Sequence, residues 1–379
     1  MKSIYYWSPC LNKVGTYKST INSAISLSNY SKKKYKIKII NACGEWNDCK
    51  EVFNSKNIEL IPFGFNYFKF LPKKGFLASR FSYFIIVCTS IFPLIRLLKK
   101  DKPDFLVMHL ITLLPLLLAK YFDKSTNFIL RISGYPKLNA LRKFFWKFSS
   151  KNMFKVTCPS IDLIHQINQK KIFLKQKIHF LPDPILDIKD FTKKKWSSIK
   201  KYNLKRKYFI SVGRLTKQKN FEYLIDEFKK FNNKNPNFNL LIFGDGELKQ
   251  RLQNKIIKED LENHIFLMGY SNNIFKFMKN AEALILSSLW EDPGFVLIEA
   301  AMCNLSIISS DCKNGPSEFL NFGEGGILFK SNQKGALEKS LYEFLNDKSK
   351  NEKRIFSKKN SSKYTLFRHY NYFNKILLN

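Results

Sequence analysis

Short runs of apolar residues alternate with longer amphipathic stretches along the chain. In the first half, the short runs predict strands at Ile4–Trp7, Tyr35–Ile40, Ile58–Pro62, Phe105–His109, Phe128–Ile132 and Lys155–Cys158. The stretches between them predict helices after the first strand and near residues 78–100, 112–122, 138–150 and 160–168. Such alternation is typical of a mostly parallel sheet that carries helices on both faces.

The same alternation restarts in the second half, after Leu181-Pro182-Asp183-Pro184 and a charged run interrupt regular structure. Strands are predicted at Tyr208–Val212, Asn239–Phe243, Ile265–Met268, Ala283–Ser287, Ser306–Ser309 and Gly326–Phe329. Helices are predicted near residues 220–233, 247–258, 272–280, 294–303 and 333–346. The second half therefore predicts another sheet of the same kind.

The length and the two alternating patterns together indicate two domains. A chain of 379 residues exceeds the usual size of one domain, which is about 150 residues. We predict an α/β protein with two doubly wound, Rossmann-like domains that face a central cleft. Its parts are residues 1–185, a linker at 186–206, residues 207–350, and a helical segment at 351–379 that packs back on the first domain. Ligands of such folds bind outside the carboxyl ends of the strands.

The net charge changes the range of partners to consider. The sequence holds 65 Lys and Arg against 30 Asp and Glu, and residues 1–200 carry +25 of the net +35. A basic first half suggests an anionic partner, which can be a nucleic acid, an anionic lipid or a phosphorylated substrate. Lys outnumbers Arg by 56 to 9, as an AT-rich genome would produce, so composition alone can also explain the total charge.

Several classes of protein are excluded by what the sequence lacks. The seven cysteines are scattered, without a CxxC pair or a Cys/His cluster with zinc spacing. The motifs GxSxG, HExxH and GxxxxGK(S/T) are also absent, which argues against a serine hydrolase, a zinc protease and a P-loop nucleotidase. The longest apolar runs, Phe81–Ile95 and Phe105–Ala119, have 15 residues each, fewer than the roughly 20 that a spanning helix needs. We therefore expect a cytoplasmic protein that can touch a membrane surface.

The segment Glu291-Asp292-Pro293-Gly294-Phe295-Val296-Leu297-Ile298-Glu299 follows a predicted strand and leads into a predicted helix. Pro293 and Gly294 mark a turn directly before the helix, whose first N–H groups and dipole attract phosphate. Glu291 and Glu299 flank that turn, where carboxylates can accept hydrogen bonds from sugar or ribose hydroxyls. An exposed loop carboxylate followed by one on a helix surface would show the same pattern.

Two further strand-to-helix loops of the second half carry polar residues. Arg214 and Lys219 lie in the loop after the strand that ends at Val212. An arginine fork and a mobile lysine suit a diphosphate, although isolated basic pairs are common in so basic a chain. Gly244-Asp245-Gly246-Glu247 also follows a strand, but it lacks the full dinucleotide-binding fingerprint and fits an ordinary tight turn.

The first half offers Val14-Gly15-Thr16 after its first strand and His109 at the end of another. A glycine at such a position lets a backbone N–H approach a phosphate, and a simple turn is an equal alternative. His109 lies in an otherwise apolar run, so a buried structural histidine is the alternative to a role in the cleft.

Together, these motifs resemble those of the retaining nucleotide-sugar glycosyltransferases of the GT-B fold, in the family often called glycosyltransferase family 4. Over residues 207–345, the Gly-Arg…Lys-Asn block, the Gly-Asp-Gly-Glu turn, the segment Ile265–Gly269 and the two glutamates occur in the family's order and spacing. The first half resembles the family only at Val14–Thr16 and His109.

The resemblance implies that the first domain binds the acceptor and the second binds the nucleotide sugar. Glu291 and His109 would be catalytic, with Glu291 on hydroxyls of the transferred sugar and His109 near its anomeric side. Arg214, Lys219 and Gly15 would contact the diphosphate, Leu267 and Met268 the base, and Glu299 the ribose. The implied donor-binding residues are Gly15, Arg214, Lys219, Gly244, Leu267, Met268, Gly294, Phe295, Val296, Leu297 and Glu299.

The resemblance also implies a reaction. A hexose or N-acetylhexosamine would pass from a nucleotide sugar, most often a UDP-sugar, with retained anomeric configuration and without a metal or other cofactor. The acceptor would be a glycan or a polyprenyl-diphosphate-linked lipid in surface polysaccharide or lipopolysaccharide biosynthesis. Asp292-Pro293-Gly294 departs from the aromatic or small residue and Gly of many members, and Asp311–Glu318 looks like enzymes that build glycans on a lipid carrier.

Basic and aromatic residues are interleaved in Leu138–Phe148 and Phe81–Lys100, which suits helices that lie on an anionic membrane. We therefore expect a peripheral protein on the cytoplasmic face of the inner membrane, without a nucleic-acid partner. Buried helices with solvated lysines would show the same pattern. Two alternative functions remain at this point, a basic nucleic-acid-binding protein and a GT-B nucleotide-sugar epimerase.

Overall fold

The computed structural model describes residues 1–11, 15–72, 75–136, 138–197 and 206–378, which form two compact units. Unit 1 consists of Met1–Ile185 together with Leu366–Asn379, and unit 2 consists of Leu186–Thr365. Each unit contains a parallel sheet, so the predicted α/β class with two Rossmann-like domains is confirmed.

The strands and helices alternate along both units. The strands are β1 (Lys2–Trp7), β2 (Tyr35–Asn41), β3 (Glu59–Pro62), β4 (Phe105–Met108), β5 (Asn127–Arg131), β6 (Met153–Cys158), β7 (Ile178–Phe180), β8 (Lys207–Val212), β9 (Phe238–Phe243), β10 (Ile265–Gly269), β11 (Ala283–Leu286), β12 (Ser306–Ser310) and β13 (Ile327–Phe329). The helices are α1 (Gly15–Tyr30), α2 (Lys50–Asn54), α3 (Phe76–Asp101), α4 (Leu113–Phe122), α5 (Ala140–Ser149), α6 (Ile161–Gln169), α7 (Ile188–Lys195), α8 (Phe221–Asn232), α9 (Lys249–Lys258), α10 (Phe275–Met278), α11 (Phe295–Met302), α12 (Pro316–Phe319), α13 (Ala336–Asn346), α14 (Lys350–Ser361) and α15 (Leu366–Leu378).

In unit 1 the strand order is β3-β2-β1-β4-β5-β6-β7, and each neighbouring pair is parallel. Side chains of a strand point alternately to opposite faces of the sheet, so β1 contributes to two cores. Tyr5 and Trp7 face the core under α3, α4, α5 and α6, whereas Ile4 and Tyr6 face the core under α1 and α15. Burial on both faces explains why these strands are almost continuously apolar.

In unit 2 the strand order is β10-β9-β8-β11-β12-β13, again with parallel neighbours. Residues of α8, α9 and α13 form one core with the sheet. Helix α14 packs against α11 and β12. The strand order reverses between β8 and β11, as it does between β1 and β4 in unit 1. Loops that follow such strand pairs are where ligands of doubly wound folds bind.

The structure corrects parts of the predicted domain plan. The predicted linker at 186–206 contains α7, which belongs to unit 2 because Phe191 packs edge-on against Phe275 with ring centroids 5.0 Å apart. Residues 198–205 of that range lie outside the described residues. The tail at 351–379 forms two helices, of which α15 packs on α1 in unit 1 while α14 stays in unit 2.

Some elements also differ from the predicted pattern. The short strand β7, which directly precedes the Leu181–Pro184 segment, was not predicted. Helix α10 covers four residues of the predicted 272–280. Helix α3 confirms the predicted helix near residues 78–100, but it extends beyond the apolar run Phe81–Ile95, which was expected to be too short for a membrane span. By length and composition alone, Leu77–Asp101 meets the requirement for a membrane span, with a mean hydropathy of 1.9 in its most apolar 18-residue window.

Candidate functional site

The centre of the candidate site in unit 2 is an ion pair between Lys219 and Glu291, which are 72 positions apart in the sequence. Lys219 ends the loop after β8, and Glu291 lies in the loop after β11, so the strand reversal brings them together. The Glu291 side chain is 6% exposed and also accepts a 2.5 Å hydrogen bond from the Ser288 hydroxyl. The Lys219 side chain is 15% exposed. A buried charge needs such partners, because burial without them is costly.

Backbone hydrogen bonds hold these two loops together. The N–H of Leu289 donates to the carbonyl of Gln218 at 2.8 Å, and the Ser287 hydroxyl donates to the carbonyl of Lys219, also at 2.8 Å. The Gln218 side-chain amide donates to the carbonyl of Trp290 at 2.8 Å. The ammonium of Lys219 is therefore held against Glu291 by fixed backbone.

Three glycines allow the neighbouring loops to approach each other. A Cβ at Gly213 would lie 2.8 Å from Cε of Lys219, so the lysine side chain passes directly over this glycine. Gly244 has a φ of +144°, and a Cβ there would lie 1.8 Å from the Gly213 carbonyl oxygen. A Cβ at Gly246 would lie 2.4 Å from the carbonyl oxygen of Leu215. Gly244 thus contacts the loop that carries Arg214 and Lys219. This close contact explains why the residue is a glycine, independently of any ligand.

The turn before α11 is built as the sequence predicts. Gly294 precedes the helix with a φ of +88°, a conformation that favours glycine. The first N–H groups of a helix lack partners within the helix and carry its positive dipole end. The side chains of Val296 and Leu297 are buried, and the N–H of Leu297 already donates to the carbonyl of Gly294 at 3.0 Å. Phe295 and Glu299 are half-buried on the same helix.

The remaining predicted residues of unit 2 lie in the loop after β8 and in the edge strand β10. Arg214 is exposed, and its guanidinium forms no ion pair within the part of the chain that the structure describes. Leu267 and Met268 lie in the edge strand β10 and are half-buried. The pairing register shifts between Leu267 and Gly269, so Met268 occupies a β-bulge. A bulge at a sheet edge re-aims side chains and is common near binding sites.

Unit 1 brings Gly15 and His109 to its own strand reversal. Gly15 begins α1, and His109 directly follows β4. The Nδ1 atom of His109 lies 3.0 Å from Oγ1 of Thr20, whereas its Nε2 atom is buried without a hydrogen-bond partner among the described residues. Burial and then the positive charge of Arg131 hold the pKa of His109 well below its usual range. The imidazole is therefore neutral at pH 7. Val14 lies outside the described residues.

Sequence reasoning missed three residues that hold the candidates. Thr20 orients His109, Ser288 holds Glu291, and Arg131 forms a buried ion pair with Asp183 that Ser19 completes. A weak signal exists for two of them, because Arg131 ends the apolar strand β5 and Ser288 lies two residues after the apolar strand β11. Thr20 carries no such signal, since it is one of several small polar residues on α1.

The described residues contain no group of three or more His, Cys, Asp and Glu that could hold a metal ion. Asp183 and Asp187, which are close in the sequence, have separate structural roles. Asp183 is paired with Arg131 in unit 1, and Asp187 caps α7 in unit 2 by accepting hydrogen bonds from the N–H groups of Lys189 and Asp190.

Comparisons with known proteins agree with this layout. The family model described as Glycosyl transferases group 1 matches residues 192–361. An uncharacterized glycosyltransferase of Methanocaldococcus jannaschii is 33% identical over 262 residues, which are 60% of this chain and 61% of that protein. In Campylobacter jejuni, the N-acetylgalactosamine-N,N'-diacetylbacillosaminyl-diphospho-undecaprenol 4-alpha-N-acetylgalactosaminyltransferase is 27% identical over 239 residues, 61% of this chain and 64% of that protein. The chain thus matches a little under two thirds of the length of each of these relatives.

Among solved structures, the fold is similar to Anabaena HepE, which was crystallised in complex with UDP and glucose. The TM-score is 0.71, and the match covers 100% of both chains. The sequence identity is 13%, so this likeness concerns the fold.

Proposed function

We propose that the chain is a GT-B glycosyltransferase of the Glycosyl transferases group 1 family, because the family model matches residues 192–361 and the fold is that of HepE. We propose further that it transfers a hexose or N-acetylhexosamine from a UDP-sugar to a glycan or lipid-linked acceptor with retention of anomeric configuration. The observation that carries the proposal is the buried Lys219–Glu291 pair between the two loops at the strand reversal of unit 2. It sets a cation and a hydroxyl-binding carboxylate beside the amino end of α11.

In this proposal, the cations of unit 2 act on the leaving group. Cleavage of the bond between the anomeric carbon and the phosphate oxygen leaves a nucleoside diphosphate with increased negative charge. Arg214 and Lys219, with the amino end of α11, would stabilise that charge as preorganised donors. The positive charge that the chain supplies supports transfer without a metal ion.

Hydroxyl groups of the donor would be held by carboxylates. Glu291 accepts hydrogen bonds only, as an ionised carboxylate does, and it has already lost most of its contact with water. It suits hydroxyls of the transferred sugar, and Glu299 on α11 suits those of the ribose. In unit 1, the neutral His109 offers its unpartnered Nε2 atom for a hydrogen bond with a sugar hydroxyl.

The acceptor is proposed from the relatives. The Campylobacter jejuni relative is named for a glycan carried on diphospho-undecaprenol. An acceptor of this chemical class has a lipid chain, and the strong positive charge of the first 200 residues suits its diphosphate and an anionic membrane around it. We extend the proposal to an acceptor on a polyprenyl diphosphate in surface polysaccharide biosynthesis.

Thermal unfolding with and without nucleotides tests the donor site. A ligand at about 100 times its dissociation constant adds about 2.7 kcal/mol to stability. We expect UDP to raise the melting temperature more than UMP, GDP, ADP or CMP. Arg214→Gln should remove most of the difference between UDP and UMP, whereas Arg251→Gln, on an exposed side chain of α9, should leave it unchanged. No shift with any nucleotide would contradict the proposed donor site.

Product analysis tests the reaction. The anomeric coupling constant of the product, measured by NMR, should match that of the α-linked donor, and turnover should persist in EDTA. An inverted product would refute retention alone, and a loss of turnover in EDTA would refute metal independence alone. Turnover of the donor to a second nucleotide sugar without any acceptor would instead identify an epimerase.

A further inference from the structure

Helix α3 has two apolar faces, and unit 1 covers one of them. Every fourth residue on the covered face is buried: Ser82, Ile86, Ser90, Leu94 and Leu98. The opposite face repeats at helical spacing and is solvent-exposed: Leu77 (81% exposed), Phe81 (59%), Phe84 (66%), Cys88 and Phe92 (82%). Monomeric proteins seldom expose a continuous apolar stripe of this kind, which usually marks an interaction site.

Helix α5 adds a second stripe. Leu141, Phe144 and Phe148 share one helix face and are 61%, 62% and 41% exposed. The rings of Phe144 and Phe148 stack with centroids 6.2 Å apart, and Lys120 of α4 lies 5.0 Å from the centroid of Phe148. Helix α4 packs against both α3 and α5. We call Leu77, Phe81, Phe84, Phe92, Leu141, Phe144 and Phe148 together the aromatic face.

The two sequence stretches that carry the aromatic face contain basic and no acidic residues. Residues 63–100 contain seven Lys and Arg and no Asp or Glu, and residues 132–151 contain five Lys and Arg and no Asp or Glu. Arg80 on α3 is close enough to Arg142 on α5 to contribute, after burial, to lowering the pKa of Arg142. The amino end of α3 therefore lies near α5, and the two stripes share a basic surrounding.

From this arrangement, we propose that the aromatic face docks on the surface of an anionic lipid bilayer, with α3 lying in the plane of the interface. Exposed phenylalanines enter the boundary between head groups and acyl chains, and lysines and arginines attract anionic head groups. Charge complementarity selects this occupant, because no acidic side chain occurs in the two stretches that carry the face.

Two other arrangements fit the structure less well. Helix α3 is long and apolar enough to span a membrane, but Ile86, Leu94 and Leu98 are fully buried in the core of unit 1, so lipid cannot surround it. A second copy of the chain packed face to face would oppose two sets of positive charges, which disfavours association.

Vesicle sedimentation with the full chain tests the proposal without donor or acceptor, so the result does not depend on the transfer reaction. The protein should bind vesicles that contain phosphatidylglycerol more strongly than vesicles of phosphatidylcholine alone, and high salt should weaken binding. The triple variant F81S/F84S/F92S should lower the partition coefficient at least about tenfold. The matched control I257S/F322S/I355S changes equally apolar, exposed residues of unit 2 and should bind as the parent does.

A charge-reversed pair of variants completes the test. K143E/K147E on α5 should weaken binding to anionic vesicles, whereas K358E/K359E on α14, with the same change in net charge, should not. Equal loss in both pairs would mean that net charge alone drives binding and would overturn the proposal. So would vesicle-independent self-association that F81S/F84S/F92S abolishes, and so would resistance of the membrane-bound protein to alkaline carbonate extraction.

Discussion

The interaction energy of the Lys219–Glu291 pair can be measured by a double-mutant cycle. The variants are Lys219→Met, Glu291→Gln and their combination, with Lys217→Met as the control, because Lys217 is an exposed cation of the same loop. Each single variant leaves one charge buried without its partner. Breaking a fully buried pair costs 3–5 kcal/mol. Lys219 keeps 15% of its side chain in water and Ser288 still donates to Glu291, so we expect the lower end, about 3 kcal/mol for each single variant.

The double variant should cost less than the two single variants together. It removes both charges, so neither is left without a counterion, and the loss should again be about 3 kcal/mol rather than about 6. The coupling energy is then about 3 kcal/mol. Urea unfolding followed by tryptophan fluorescence and by circular dichroism measures these values.

Two results would refute this reasoning separately. Single-variant losses that add within about 0.5 kcal/mol in the double variant would mean that the two groups do not interact in solution. Transfer rates within twofold of the parent in the folded double variant would instead mean that the pair is structural. If the pair binds the donor, transfer should fall at least about tenfold, which corresponds to about 1.4 kcal/mol of barrier, while Lys217→Met should be unaffected.

Two further predictions concern the buried imidazole of His369 and the tightly packed Gly244. His369 is fully buried, donates Nδ1–H to the carbonyl of Pro182 and accepts from Ser23 at Nε2, and burial lowers its pKa to about 3. The unfolded chain takes up a proton below pH 6.5 and the folded chain does not, so the free energy of unfolding decreases as the pH is lowered. In urea unfolding, the parent should lose about 2 kcal/mol more than His369→Gln when the pH is lowered from 8 to 5, and equal losses would contradict this. Gly244→Ala should lower the melting temperature by several degrees more than Gly335→Ala. Both glycines have a positive φ, but only Gly244 lacks room for a Cβ. Equal shifts would show that the loops of Gly213 and Gly244 can move apart at little cost.

The fold was predictable because its strands are local apolar runs long enough to stand out. Strand β7 was not predicted because it has only three residues, and one of them is the polar His179. The place of α7 in unit 2 was not predicted, because it depends on a contact between Phe191 and Phe275, which are distant in the sequence. The exposed face of α3 could not be predicted either, since a helix with apolar residues all round gives no sign of which side the protein covers.

The candidate site was also predictable only in part. Arg214, Lys219 and Glu291 could be found from their position after strands. Their arrangement could not, because Lys219 and Glu291 meet only through the strand order β8-β11. Gly244 was predicted as a donor-binding residue from its place in a turn between a strand and a helix. The structure adds a packing reason for the glycine that sequence spacing does not contain.

The contact of Gly244 with the Gly213 carbonyl has a consequence for how such a protein can change its substrate. Gly213 lies directly under the Lys219 side chain, and Gly244 packs against the Gly213 carbonyl without room for a Cβ. A new preference for one sugar or base therefore cannot come from a larger side chain at Gly244. In the proposed function, it has to arise at positions where side chains can vary, such as the bulged Met268, while the glycines below stay the same.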